Sequence, residues 1–175
     1  MPQLFLGFEP LARADFPMLV GWLAEPHVAS WWGTPLDQAG VETEFGRCID
    51  GTDPTMVFVV TEGGAPVGLL QIYRLTDNPD YARAVGTDDA AGIDLLIGEP
   101  ARCGAGLGPR MISRAAELIW ENYPEVGGAL AGPSVHNTRS HRAFEKAGFS
   151  PLRQVTVPGE EDDEMIYFRP RPTAG

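Results

Sequence analysis

Asp94 stands in an otherwise apolar run, Gly92-Ile93-Asp94-Leu95-Leu96-Ile97. A carboxylate taken out of water without a partner is costly. An acid in such a run therefore needs a cation, a hydrogen-bond network or a cleft, unless it is simply the solvent-facing residue of an alternating strand. Given a cleft, it can hold an ammonium group and accept its proton, which is general-base chemistry. Further on, Gly104-Ala105-Gly106-Leu107-Gly108 precedes Pro109 and a helical pattern. Small residues let an anion approach backbone N–H groups. A helix start adds free N–H donors and the positive end of a dipole, and Pro109 in the first turn lacks only an N–H that would be unpaired anyway. A structural tight turn uses the same residues, so the loop alone decides nothing. No Gly-Lys-Ser/Thr follows, which excludes a P-loop, and the spacing and ribose-binding acid of a dinucleotide fingerprint are missing.

The elements that must position these residues read as follows. Residues 3–9 suggest a first strand, and Asp15 with Pro17 suggests the start of a helix running to about Ala24. A second helix follows Asp37, with Val41, Phe45, Cys48 and Ile49 at helical spacing. Residues 55–62 and 66–75 flank Gly63-Gly64 as a hairpin. A polar loop, 76–91, leads to the Asp94 strand, which ends at Ile97. A helix from about Pro109 to Asn122, a strand at 127–132, a helix at 137–147 stopped by Gly148, and strands at about 152–158 and 164–169 complete the chain. The acidic run Glu160 to Glu164 reads as a hairpin tip. This order predicts an α/β fold with a mixed sheet and helices on its faces.

Composition narrows the function classes. The formal net charge of −11 excludes binding to nucleic acid or an anionic membrane by bulk electrostatics. It suits either plain solubility or the attraction of a polycationic small molecule. No stretch reaches the ~18 apolar residues of a membrane span, and the first ten residues, MPQLFLGFEP, do not read as a signal peptide. Cys48 and Cys103 form no CxxC and no disulfide framework, so neither zinc nor an oxidising compartment is expected. His27, His136 and His141 lack metal-ligand spacing and read as surface or capping residues. Trp31 and Trp32 are adjacent, so they cannot both face one core from a regular helix, and at least one is expected to line a cleft. Asp77, Asp80, Asp88 and Asp89 are explained by a solvated loop or, more sharply, by a cation-binding rim beside Gln71, Tyr73 and Tyr81.

The glycine loop, its helix and strand, then Asn137-Thr138-Arg139-Ser140 with Phe144-Glu145-Lys146-Ala147-Gly148-Phe149 resemble the GNAT acetyltransferase superfamily over about residues 5–169. Within it, four pieces look most like the aminoglycoside 6′-N-acetyltransferases: Trp31-Trp32-Gly33, Gln71-Ile72-Tyr73, Gly92-Ile93-Asp94, and Pro133-Ser134 leading to Asn137. The hydroxamate-siderophore acyltransferases are the sibling group. The resemblance implies a single N-acetyltransferase domain over residues 1–175, with a GNAT-type mixed, mostly antiparallel sheet flanked by helices. It implies acetyl-CoA as co-substrate, its pyrophosphate held by the backbone of Cys103, Gly104, Ala105, Gly106, Leu107 and Gly108. Arg110 would lie near the phosphates, and Asn137 would contact the pantetheine arm or cap its helix. A backbone N–H at Leu96 or Ile97 would meet the thioester oxygen where the sheet splays, with Asp94 as the base. Trp31, Trp32, Gln71, Tyr73, Asp80, Tyr81, Asp88 and Asp89 would meet a cationic acceptor.

Three positions depart from that pattern. Cys103 stands where Gln or Arg usually opens the loop. Phe144 stands where many members place a Tyr proposed to protonate the departing thiolate. Gly132 stands where the resistance enzymes carry an Asp before Pro-Ser. The expected acceptor is a primary amine of a cationic small molecule, the 6′-amine of an aminoglycoside first among them, in the cytoplasm. The alternatives are a siderophore or other polyamine or lysine-type acceptor, and a non-catalytic acyl-CoA-binding domain. The siderophore group usually carries a His at the reacting centre, and the sequence puts no His near Asp94. Monomer and homodimer remain equally open.

Overall fold

The Gly63-Gly64 pair takes φ of 58° and 86°, the two left-handed positions that a two-residue hairpin turn needs. It joins β2 (Met56–Glu62) to β3 (Ala65–Arg74) in the computed structural model, which describes residues 4–174. Ahead of them, β1 (Leu6–Pro10) pairs antiparallel with β2, from Leu6↔Glu62 to Pro10↔Phe58. The strand expected at 3–9 therefore begins and ends later, and its residue 3 lies outside the described residues. Three helices fill the β1–β2 connection: α1 (Phe16–Ala24), α2 (Pro26–Trp32) and α3 (Gln38–Asp50). Asp37 caps α3 by accepting from Gly40 N–H at 2.8 Å. Asp15 precedes α1, but its carboxylate accepts from Ala12 N–H at 2.9 Å, so it closes the preceding turn.

After β3 come α4 (Pro79–Val85), β4 (Ala91–Ile97), a short turn at Pro100–Arg102, α5 (Leu107–Asn122), β5 (Gly128–Ala131), α6 (Thr138–Lys146), β6 (Ser150–Val155) and β7 (Glu164–Pro170). The seven strands run in the order β1-β2-β3-β4-β5-β7-β6. β4 and β5 are parallel, joined through α5, whereas β5–β7 and β6–β7 are antiparallel. This is the expected mixed sheet flanked by helices. α6 ends as expected: Gly148 takes φ 86°, Phe149 N–H returns to Phe144 O at 3.0 Å and Gly148 N–H to Glu145 O at 3.1 Å.

Two helices were not legible as such. α4 lies inside the stretch that reads as a polar loop, and α2 inside the unassigned stretch around Trp31-Trp32. Both are seven residues long and start with Pro, and each is followed by a glycine at positive φ, Gly33 and Gly86. α4 buries only Ala82 and Val85, and α2 only Val28. So few apolar positions do not establish a helical period.

The chain divides into two compact units: residues 1–71 with 95–107, and residues 72–94 with 108–175. In the first, Phe16, Leu19, Trp22, Leu23, Val41 and Phe45 from the helices bury against Val57, Val59, Leu69 and Leu96 from the strands. In the second, Leu75, Ala82, Val85 and Ala90 close around Leu130, Val155 and Ile166.

The residue after β4, Gly98, donates its N–H to Val67 O at 2.9 Å. A Cβ on it would lie 2.2 Å from the Trp22 ring, which is 5% exposed. Gly98→Ala must therefore push a buried indole. Overpacking of this kind costs about 1–3 kcal/mol, roughly 2–4 °C of melting temperature per kcal/mol at this size. A thermal melt checks it, and an unchanged midpoint would show that Trp22 moves freely.

Candidate functional site

Successive side chains of a strand alternate between its faces, so Gly92 and Asp94 share one face of β4 while Ile93 faces the other way. Ile93 is 1% exposed and Asp94 is open to solvent. Gly92 leaves room for Tyr73 of β3: a Cβ at 92 would lie 2.3 Å from Tyr73 Cζ and 2.6 Å from its hydroxyl. Laid over this glycine, the Tyr73 hydroxyl stands near enough to the Asp94 carboxylate for each to shift the other's pKa. The β4–β5 pairing occurs at Ala91↔Ala129 and Gly92↔Leu130 and ends there, although β4 runs on to Ile97 and β5 to Ala131. Asp94 thus stands just past the last paired residue.

Asp94 touches water, yet protein crowds it at longer range. That crowding weakens hydration of the charge and raises its pKa to about 6. The Tyr73 hydroxyl opposes the rise, and the negative charge of Glu160 adds to it. A second carboxylate belongs to the same unit. Glu164, first residue of β7 and half-buried, accepts from Tyr81 Oη of α4 at 2.9 Å. Its pKa is pushed up to about 7, first by burial and then by Glu160 and Asp94, with the Tyr81 hydrogen bond opposing. Both tyrosine hydroxyls are driven well above their ordinary range, so they stay neutral donors. Among the described residues no Lys or Arg forms an ion pair with Asp94, Glu160 or Glu164.

Glu164 was missed in the sequence, where it reads as the end of an acidic hairpin tip. The available signal was Gly132, the position where the resemblance expects an acid. A Cβ at 132 would lie 2.0 Å from Glu164 Oε1 and 2.6 Å from Tyr81 Oη. The space of a side chain at 132 is therefore filled by the Glu164 carboxylate.

The glycine loop has a different character. Gly104 and Gly106 take φ of 76° and 80°, and a Cβ on either would meet nothing within 4 Å. Cys103 is half-buried, Ala105 exposed, and Leu107 buried as the first residue of α5. Gly108, Pro109 and Arg110 follow in its first turn. Ahead of the loop, Arg102 forms an ion pair with Glu62 of β2. The result is a run of backbone at the start of a sixteen-residue helix with open space above its glycines, the arrangement that accepts an anion.

The remaining sequence-derived positions fall as follows. Asn137 caps α6, its side chain accepting from Ser140 N–H at 3.3 Å. Phe144 is 3% exposed, edge-on to Phe149 at 5.3 Å and stacked on Tyr167 at 6.0 Å. Leu96 is in the core of the first unit. The Ile97 carbonyl accepts from His27 Nε2 at 2.7 Å, so His27 is a tie between α2 and β4, not a surface or capping residue. A carbonyl only accepts, so this nitrogen carries the hydrogen. Trp31 is 51% exposed and Trp32 packs against the first unit's core, the division that adjacent positions on a helix impose. Gln71 is half-buried on β3. Of the four aspartates of the expected cation rim, none is joined to Asp94, and Asp77 ends the short turn Leu75–Asp77 after β3. Asp80 pairs with Arg83 at 2.9 Å, Asp88 is exposed, and Asp89 accepts from Gly127 N–H at 2.8 Å.

Known proteins agree with this geometry. The family model for the acetyltransferase (GNAT) domain matches residues 12–157. The aminoglycoside N(6′)-acetyltransferase type 1 of Klebsiella pneumoniae is 31% identical over 90% of this chain and 79% of its own length. A lysine N-acyltransferase, MbtK, of Mycobacterium sp. (strain MCS) is 25% identical over 99% of this chain and 72% of its own. The crystal structure of the aminoglycoside acetyltransferase AAC(6′)-Ib in complex with coenzyme A and kanamycin superposes with a TM-score of 0.81. It is 25% identical and covers 95% of both chains. The strand order, the open glycine loop at the start of α5 and the match over most of the chain converge: this protein belongs to the GNAT acetyltransferase family.

Proposed function

We propose that residues 1–175 form a single N-acetyltransferase domain that moves the acetyl group of acetyl-CoA to a primary amine of a cationic small molecule, the 6′-amine of an aminoglycoside. The observation that carries the reading is Asp94: an exposed carboxylate on β4, past the last β4–β5 pair, beside Tyr73 and with a pKa of about 6. An alkylammonium has no lone pair to attack with. A carboxylate of that pKa is ionised at neutral pH, attracts the cation and receives its proton as the amine attacks the thioester carbonyl. The similarity to an enzyme crystallised with coenzyme A and kanamycin favours this acceptor.

The glycine loop suits the co-substrate. Cβ atoms at 104 and 106 would occupy the open space above the loop, where a pyrophosphate would take N–H bonds from the backbone between Cys103 and Gly108. Arg110 adds positive charge in the same turn. A backbone N–H at Leu96 or Ile97 stabilises the charge that grows on the thioester oxygen, and Asn137 contacts the pantetheine while capping α6. Phe144 carries no proton, so the thiolate leaves without help from that position. Trp31 offers its exposed face to the acceptor, and Gln71, Tyr73 and Tyr81 offer polar groups. Among the described residues no helix is long and apolar enough to cross a membrane. A cytoplasmic location gives access to acetyl-CoA.

The test is release of free coenzyme A thiol from acetyl-CoA with kanamycin, lysine and simple monoamines as acceptors. Thiol release should depend on kanamycin, and the KM for kanamycin should rise between low and physiological salt as charges are screened within ~8–10 Å. Turnover with lysine alone would select the lysine-type acceptor instead. Binding of acetyl-CoA without turnover of any amine would leave a non-catalytic acyl-CoA-binding domain.

A further inference from the structure

We propose that His27 is a positioning residue for acetyl transfer: it fixes the peptide after Ile97, so that the Ile97 N–H, and not that of Leu96, meets the thioester oxygen. The inference rests on the acetyltransfer reading above and deepens it by naming the amide and the side chain that aims it. Every group involved belongs to the first unit. His27, on α2, donates from Nε2 to the Ile97 carbonyl at 2.7 Å across 70 residues of chain. The same peptide unit donates its Gly98 N–H to Val67 O of β3 at 2.9 Å. Both polar ends of this peptide are thus tied, one to a helix and one to the sheet. The Trp22 ring closes a third side, since a Cβ on Gly98 would lie 2.2 Å from it. α2 itself buries only Val28, so the His27 bond is a main tie between this helix and the end of β4.

Strand geometry then selects the donor. The N–H and C=O of one strand residue point to the same edge, and successive residues alternate between edges. Gly98 N–H points to β3, so the Leu96 N–H points to β3 as well. The Ile97 N–H points to the opposite edge, where β4 runs on past its last pair with β5, Gly92↔Leu130. The Ile97 carbonyl lies on that same edge, and His27 occupies it there. Left bare, this carbonyl would need a partner and would repel a thioester oxygen approaching the N–H beside it. With the imidazole in place the carbonyl is satisfied, and the N–H is the group offered to charge that grows on the thioester oxygen.

The test compares the wild type with His27→Leu, His27→Gln and His27→Asn. Acetyl-CoA with an isotopic label at the thioester carbon is bound without acceptor, and its infrared carbonyl band is read. The band should move to higher frequency in His27→Leu, because the carbonyl loses an aimed donor, while acetyl-CoA affinity is nearly unchanged. A Gln amide reaches the place of Nε2 and an Asn amide does not, so Gln should keep the wild-type band and Asn should lose it. In thiol release with kanamycin at saturating substrates, His27→Leu should lower kcat by about 10–100-fold, the scale of a misplaced or missing oxyanion donor. His27→Gln should recover most of that rate. Melting temperatures are recorded alongside, and should His27→Leu fail to fold, the Gln and Asn pair decides. An unmoved band in a folded His27→Leu protein, or equal bands in the Gln and Asn variants, would overturn the role of His27. A wild type that binds acetyl-CoA yet acetylates no amine would instead overturn the acetyltransfer reading, and this inference with it.

Discussion

Asp94→Asn should cut turnover by about 10²–10⁴, the usual cost of losing a general base, while acetyl-CoA binding is kept. The substitution preserves shape and an acceptor oxygen beside Tyr73, so the loss falls on proton acceptance and ammonium binding. The pH dependence separates these from a packing effect. In the wild type kcat/KM should rise as pH passes through about 6, where the Asp94 carboxylate ionises, and rise further as the amine loses its own proton. In the mutant the first rise should vanish, leaving only the free-amine fraction, so high pH should restore part of the activity. Stability should move the opposite way to activity. The folded-state pKa lies above the usual carboxylate value of about 4, so the folded protein binds this proton more tightly than the unfolded chain. Stability from this group is present at low pH and is lost as pH rises from about 4 through about 6. Solvent reaches the carboxylate and reduces the size of this effect, but not its sign. Asp94→Asn should therefore melt no lower than the wild type at neutral pH. The deciding data are kcat and kcat/KM against pH at saturating acetyl-CoA, with melting points. Turnover within about threefold of the wild type at pH 7 would remove Asp94 from the mechanism.

Asp94 was legible because a carboxylate in an apolar strand conflicts with its surroundings, and a conflict of that kind shows in one dimension. The hairpin at Gly63-Gly64 and the cap at Asp37 were legible for a similar reason: each is a local backbone requirement met by residues adjacent in sequence. Glu164 was not, because its meaning comes from two distant positions. Tyr81 is 83 residues away, and Gly132 matters only through the side chain it lacks. The aspartates of the 76–91 segment left a solvated loop and a cation rim both open, and their partners were not legible: α4 gives Asp80 an Arg83 partner one turn on, and Asp89 accepts from the Gly127 N–H. His27 was undervalued because its partner is a backbone carbonyl, which no side-chain pattern reveals. The fold itself was read well wherever strands and helices were long. It failed at α2 and α4, where seven residues bury one or two side chains and tertiary contacts supply the stability.

Gly106→Val is the second large effect, because two costs coincide at one residue. Gly106 takes φ of 80°, a left-handed conformation that a β-branched residue adopts only under strain of order 1–3 kcal/mol. The new side chain would also rise into space that is open in the free protein and that a pyrophosphate must occupy to reach the backbone N–H groups. Affinity for acetyl-CoA should fall at least tenfold, about 1.4 kcal/mol. Gly106→Ala separates the two costs. It carries most of the backbone strain with little of the bulk, so its affinity should lie between those of the wild type and the valine variant. The loop is exposed, so either protein should fold, with a melting point lowered by roughly 2–12 °C for strain of that size. Because the glycine loop and Asp94 do different work, the KM for the amine acceptor, measured at saturating acetyl-CoA, should hardly move in either variant. Calorimetric or thermal-shift titration with acetyl-CoA gives the affinities. Wild-type affinity in a folded Gly106→Val protein would reduce the loop to a tight turn and remove the coenzyme from this end of α5.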